Sequence, residues 1–281
     1  MGQGKALLRL ENITKTFSRG TKDEVVALNR VELLASPRDY VTIIGSKGAG
    51  KTTMLNIIAG VFPPEKGGRV FVDDVDITGW KEHRRAAYVG RVYQDPNVGT
   101  AARLTIEENL AIAVSRGKSR GFRGALTKMR RARFRDALAR LGLGLEDRLT
   151  APVGTLSSGQ RQALALVMVT VSKPALLLLD EHTANLDPRT AETVLRLTDM
   201  IVEKENMTTL MVTHNMDMAL GYGNRLLMMH KGRIVVDIGE EKKQNLTIED
   251  LVAAFQGAVG ERLTDESIML GSVESAHTKR G

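Results

Sequence analysis

One octapeptide constrains this chain more than anything else in it: Gly45-Ser46-Lys47-Gly48-Ala49-Gly50-Lys51-Thr52 fits G-x-x-x-x-G-K-[ST] in full. The flanks suit the motif. Tyr40 to Ile44 ahead of it reads as a strand, and a helical pattern follows from about Gly50 to Ala59. Glycines let a backbone wrap a phosphate without Cβ clashes. The exposed N–H groups and the helix N-terminus then face the anion. In such a loop Lys51 reaches the β- and γ-phosphates, the Thr52 hydroxyl binds Mg2+, and Thr53 adds a further phosphate contact. The loop implies a nucleoside triphosphate. Alone, it does not separate ATPases, GTPases and kinases.

A second motif narrows the chemistry. Leu176-Leu177-Leu178-Leu179 is an apolar strand ending in Asp180-Glu181. Strand tips in open α/β sheets are where ligands sit. There Asp180 suits an Mg2+ partner acting through water. Glu181 would face the γ-phosphate and orient or deprotonate the attacking water.

The remaining pattern predicts an α/β core interrupted by a mostly helical insert. Strands are expected at Leu7–Leu10, Val25–Leu34, Val70–Val75 and Ala87–Tyr93. Thr105-Ile106-Glu107-Glu108 is a capping box opening a helix toward Val114. Helices follow over roughly Thr127–Leu141 and Ser157–Val171. Asp187-Pro188 reads as N-cap and first helical residue of a helix to about Lys204. Thr208–Thr213 is a strand and Asn215–Leu220 a short helix. Arg225–His230 and Arg233–Ile238 form a hairpin, and Thr247 starts a last helix.

Between the two nucleotide motifs lies Leu156-Ser157-Ser158-Gly159-Gln160-Arg161-Gln162. With the loop and the acidic strand end, it resembles the signature of ATP-binding-cassette (ABC) ATPases. Gln94 after Arg91-Val92-Tyr93 resembles the Q-loop glutamine, and Ala184-Asn185-Leu186-Asp187 the D-loop. His214 after Leu210-Met211-Val212-Thr213 resembles the switch histidine, and Phe17 the aromatic that stacks on adenine. The likeness spans roughly residues 7 to 255. One position departs: the family usually has Gly where Ser158 stands, and Ser is small and keeps a hydroxyl donor.

The resemblance implies an α/β fold: a P-loop NTPase core of ABC type, with an N-terminal antiparallel β subdomain and a helical insert. The ATPase domain would cover 1–257. Its core and β subdomain would take about 1–95 and 150–257, the insert about 96–172, and a tail 258–281. It also implies ATP and Mg2+ as cofactors, and hydrolysis to ADP and phosphate. Glu181, His214, Gln94 and Lys51 would act in catalysis. Phe17, the loop from Gly45 to Thr53, Ser157, Gly159, Gln160 and Asp187 would hold nucleotide. Thr52, Gln94 and Asp180 would hold the metal. Two copies would pair head to tail, each signature meeting the γ-phosphate on the other copy's Lys51.

Partners implied are integral membrane permease subunits, docking near Gln94 to Leu110, and through them an extracytoplasmic solute-binding protein. The runs Val212–Met216 and Gly223–Val235 resemble ATPases of bacterial amino-acid-type importers. The place implied is the cytoplasmic face of the cell membrane, held peripherally. The longest apolar runs, Ala163–Val169 and Ala175–Leu179, are far short of the about 20 residues a spanning helix needs. Met1 to Lys5 lacks a signal-peptide core.

Net charge is +7. Arg116 to Arg140 carries ten Lys or Arg and one acid, Asp136. A solvated helical face and an approach of Arg116–Arg135 to the anionic leaflet both fit this run. The charge also keeps open a soluble ABC-type ATPase acting on nucleic acid or ribosomes, beside an ABC exporter subunit. No specific nucleic acid is expected, because such proteins usually carry two cassettes. Aromatics at 4% argue against a stacking platform. The absence of cysteine excludes disulfides, a thiol nucleophile and Cys-bound metal. A degenerate, non-hydrolysing cassette is disfavoured by Lys51, Asp180, Glu181 and His214. Nothing resembles a guanine-selective Asn-Lys-x-Asp motif.

Overall fold

The computed structural model describes residues 6–116 and 127–260 of the 281-residue chain. Met1–Lys5, residues 117–126 of the basic run and residues 261–281 of the tail lie outside the described residues.

In chain order, β1 (Leu8–Phe17) and β2 (Val25–Ala35) lead to β3 (Tyr40–Ile44) and α1 (Lys51–Ala59). Next come β4 (Arg69–Val72), β5 (Val75–Asp76), α2 (Glu82–Arg85) and β6 (Val89–Val92). A helical stretch follows: α3 (Pro96–Gly99), α4 (Ile106–Val114), α5 (Lys128–Ala139), a 3-10 turn at Val153–Thr155 and α6 (Ser158–Thr170). The remainder is β7 (Leu176–Asp180), α7 (Pro188–Glu205), β8 (Thr208–Val212), α8 (Met216–Gly221), β9 (Arg225–His230), β10 (Arg233–Ile238), α9 (Glu240–Lys243) and α10 (Ile248–Val259).

Two sheets result. One is antiparallel, in the order β2-β1-β4-β5; the other runs β10-β9-β3-β8-β7-β6. In the larger sheet β9, β3, β8, β7 and β6 are parallel and β10 returns antiparallel along β9. Strands β3, β7 and β8 are buried at every position, as expected of parallel strands covered on both faces. Alternation then sorts the four leucines of β7. Leu176 and Leu178 join Met54, Leu55 and Ile58 of α1, while Leu177 and Leu179 join Leu166 of α6 and Leu195 of α7.

Helix α6 serves two cores. Ala163, Leu164 and Val167 pack with Ile106, Leu110, Phe134 and Leu138 of the helical part. Ala165, Leu166 and Val169 pack toward the large sheet. The start of α6 is therefore tied to both.

Local chemistry explains most element ends. Thr105 and Glu108 form the expected capping box. Thr127 caps α5 and Asp187 caps α7, with Pro188 in its first turn. Two expectations need correction. Val70–Val75 is not one strand: Asp73 (φ 50) and Asp74 (φ 61) make a left-handed two-residue turn joining β4 to β5. The first strand continues to Phe17 rather than stopping at Leu10. Register shifts along β1 break the alternation that sequence reading depends on. The four-residue helices α2, α3 and α9 are too short to show a helical period in the sequence.

The register brings three chain segments to one edge. Ile43 lies beside Val212, and Asp180 beside Val212 from the other side. The loop after β3, the acids after β7 and His214 after β8 thus emerge together.

Candidate functional site

The loop between β3 and α1 is shaped by its fixed glycines. Gly45 has φ 149, and a Cβ there would lie 2.2 Å from the Met229 carbonyl oxygen; Gly50 has φ 99, with a Cβ 2.4 Å from that of Ala27. Close backbone packing against β9 and β2 therefore demands these two, in addition to any ligand. Gly50 offers no capping side chain, and the first turn of α1 holds no acid. The helix N-terminus is left to an anion. Ser46, Lys47, Gly48 and Ala49 form the bend, closed by Ala49 N–H donating to Ser46 O at 3.1 Å.

Lys51 is buried. Its Nζ donates to the carbonyl of Gly45 and, at 3.1 Å, to that of Ser46. Burial holds its ammonium below the ordinary lysine range, although Glu181 and Asp180 both pull it upward. A phosphate here would restore that lost solvation. Thr52 Oγ1 donates to Asp180 Oδ1 at 3.2 Å, joining loop and acidic strand end. Thr53 is the next residue of the first turn, half-buried.

Glu181 leaves β7 with φ 46, a left-handed conformation rare for a non-glycine residue. Its N–H donates to Val212 O at 3.0 Å. Its Oε2 lies 3.5 Å from His214 Nδ1. The pair tune each other: contact with His214 lowers the Glu181 carboxyl, and contact with Glu181 raises the His214 imidazole against its burial. A carboxylate kept ionised beside Lys51 and His214 can accept a hydrogen bond from an attacking water and orient it. A cavity of about 310 Å3 opens beside Glu181 and His214, lined also by Ala184, Leu186, Asn215 and Met218.

Gln94 is exposed, and its Nε2 donates to Asn185 Oδ1 at 3.4 Å, reaching the Ala184–Asp187 segment rather than Thr52 or Asp180. Phe17 ends β1, half-buried, edge-on to Phe62 with ring centroids 5.6 Å apart. Lys15 Nζ stands 5.6 Å over the Phe17 ring. Ser157 caps α6, and Gln160 completes a reciprocal capping box with it. Gly159 is packed so tightly on Thr190 that a Cβ would meet its Cγ2 at 2.1 Å. Asp187 is exposed and accepts from Thr190 N–H at 3.2 Å, which lowers its carboxyl. Among the described residues no hydrogen bond joins Ser157, Gly159 or Gln160 to the Gly45–Thr53 loop.

Among the described residues no cluster of three or more His, Cys, Asp or Glu stands ready to hold a metal. The hydroxyl of Thr52 and carboxylate of Asp180 are hard oxygen donors. They suit Mg2+ that takes its remaining oxygens from phosphate and water.

Sequence reading missed several neighbours. Arg91 pairs with Asp180 at 2.6 Å. His182 is buried, held neutral by desolvation that lowers its pKa to about 4, its Nε2 3.1 Å from Thr198 Oγ1. Gln162, within the quoted signature run, donates to Tyr93 O at 3.0 Å. Arg91 and His182 carry no motif of their own, and Gln162 is the last residue of the signature run. The one available hint was a charged residue inside an otherwise apolar strand, Arg91.

Comparison with known proteins follows the same lines. The family model described as ABC transporter matches residues 28–184. A tyrosine transport ATP-binding protein of Clostridioides difficile is 41% identical over 253 residues, covering 90% of this chain and 100% of that protein. A methionine import ATP-binding protein of Rhodococcus jostii is 34% identical across 82% of this chain, which spans only 65% of that relative's length. Among solved structures, a dimeric ATP-binding cassette in a post-hydrolysis state bound to ADP and Pi aligns with a TM-score of 0.70 and 29% identity. That alignment covers 83% of this chain and 98% of that one.

Proposed function

The chain belongs to the ABC transporter family, and from that premise we propose that this ATPase powers a separate membrane permease in solute import. An amino-acid-type solute is favoured by relatives named for tyrosine transport and methionine import. The reading includes an extracytoplasmic solute-binding protein delivering to the permease, and a peripheral place on the cytoplasmic membrane face. No helix among the described residues is long and apolar enough to cross a membrane.

The observation that carries the reading is the Glu181–His214 pair, set beside Lys51 at one edge of the parallel sheet. In this mechanism Lys51 and the loop N–H groups of Gly45 to Thr53 bind the β- and γ-phosphates. Phe17 takes the adenine. Thr52 and Asp180 would hold Mg2+; Gln94, bonded to Asn185 in this structure, would turn from that partner to join them. Bound there, Mg2+ would supply positive charge against the phosphate oxygens. Glu181 accepts a proton from the water that attacks the γ-phosphorus, and ADP leaves. His214 keeps Glu181 ionised and aimed.

Ser157, Gly159 and Gln160 would meet the γ-phosphate of a second copy, with Asp187 coupling the two sites. The dimeric form of the related cassette supports a pair of copies.

The test is Glu181→Gln. Phosphate release should fall by at least about 100-fold, a loss in the range for a removed general base. ATP should then trap a dimer in gel filtration. Normal turnover, or a monomer under all nucleotide conditions, would sink the reading.

A further inference from the structure

Arg91 lies on β6, where its register partner on β7 is Leu178. Its Nη2 is 2.6 Å from Asp180 Oδ2, and its Nη1 donates to Asn56 Oδ1 of α1 at 2.5 Å. The two charged side chains are only 8% and 10% exposed. The guanidinium also stands 4.6 Å over the Tyr93 ring. The other oxygen of Asp180 accepts from Thr52. The two carboxylate oxygens are therefore divided, one toward the loop and one toward Arg91.

Arg91 donates once to Asp180 and once to Asn56, so its rigid planar fork sets the direction from which Oδ2 is held; an ammonium, a point charge on a flexible stem, does not. Without Arg91, Asp180 keeps the Thr52 hydroxyl and the nearby charge of Lys51 but loses the charge-assisted hydrogen bond that holds Oδ2. Oδ2 would then be free to turn. Asn56 in turn anchors the guanidinium to the helix that follows the phosphate loop. Arg91 thus ties α1, β6 and β7 together at the point where β6 runs on to Gln94.

We propose that Arg91 is a positioning residue for the metal-holding carboxylate, gripping Asp180 by Oδ2 so that Oδ1 stays turned to Thr52. It acts through Asp180 and touches no nucleotide. The proposal rests on the reading of Thr52 and Asp180 as the Mg2+ pair. A rival role, a cation that merely competes with Mg2+ for Asp180, predicts the opposite sign and is separated by the experiment.

The experiment titrates the full chain with a fluorescent ATP analogue, mant-ATP, in excess EDTA and in millimolar Mg2+. Wild type, Arg91→Lys and Arg91→Met are compared. The ratio of the two dissociation constants measures what the metal adds. Affinity in EDTA, which depends on Lys51 and the loop, should be alike in all three. The gain from Mg2+ should shrink about 10- to 100-fold in Arg91→Met, the usual cost of losing a partner of a metal-holding group. Arg91→Lys should fall between. If Arg91→Met does not fold, Arg91→Lys carries the test, with a severalfold loss expected. A gain from Mg2+ that is unchanged or larger in the folded variants overturns the proposal. A wild type that binds no mant-ATP, or binds it without regard to Mg2+, would instead overturn the nucleotide reading itself.

Discussion

His214 Nδ1 and Glu181 Oε2 lie 3.5 Å apart, an imidazole–carboxylate contact across the ends of two neighbouring parallel strands. Only Glu181 raises the His214 imidazole; burial and Lys51 both lower it. In Glu181→Gln the His214 pKa should therefore fall from above the ordinary value of 6.5 to that value or below it. An NMR titration of the imidazole resonances reads this directly. A persistently raised value would mean that another group holds the histidine. The raised pKa also has a stability consequence. Its contribution is fully present below pH 6.5 and is lost as pH rises through the folded value.

Lys51→Met separates binding from folding. The ammonium makes two hydrogen bonds to loop carbonyls while half-stripped of water. Replacing it should leave the melting temperature unchanged or higher. Mant-ATP affinity should weaken at least about 10-fold, the scale of one lost charge-assisted hydrogen bond. Undiminished binding in calorimetry would remove Lys51 from the phosphate site.

His182 should make the fold acid-sensitive. Its folded pKa is lowered from 6.5 to about 4 by burial alone. The neutral ring contributes stability that is present above pH 6.5 and lost as pH falls toward 4. The shift corresponds to on the order of 3 kcal/mol. Urea midpoints of wild type should drop steeply over that window. In His182→Gln the drop should be shallower, whatever the variant's starting stability. Parallel curves would refute the assignment.

Gly159 and Thr190 form a steric lock between α6 and α7. Gly159→Ala would drive a methyl into Thr190 Cγ2 at 2.1 Å. Overpacking of this kind costs about 1–3 kcal/mol. The second change Thr190→Ser removes Cγ2 and should restore most of the lost stability. If the double variant melts no higher than Gly159→Ala alone, the contact is not what makes this glycine necessary.

Several of the pairings named above lay within reach of sequence reading because they are local. The capping boxes at Thr105 and Ser157 join residues three apart. The strand–loop–helix around Lys51 is a continuous segment whose glycines and apolar flanks speak for themselves. The β4–β5 hairpin escapes sequence reading because Asp73-Asp74 lacks the glycine that marks a two-residue turn, while Val70, Phe71, Val72 and Val75 keep an apolar pattern across it. Phe17 was recognised by likeness alone, since an aromatic at a strand end has no periodic signature.

What the linear order determined by itself was chemistry: a phosphate loop, an acidic strand tip and a capped helix, each specified by backbone rules acting over a few residues. What only tertiary structure decided was which of these meet. Arg91 and Asp180 are 89 positions apart, and Thr52 and Asp180 are 128 apart. Their contact depends on the placing of β6, β7 and β3 in one sheet and on a parallel register that aligns their ends. That order is set by burial of alternating leucines against helices on both faces, a many-body outcome that no short stretch of sequence encodes.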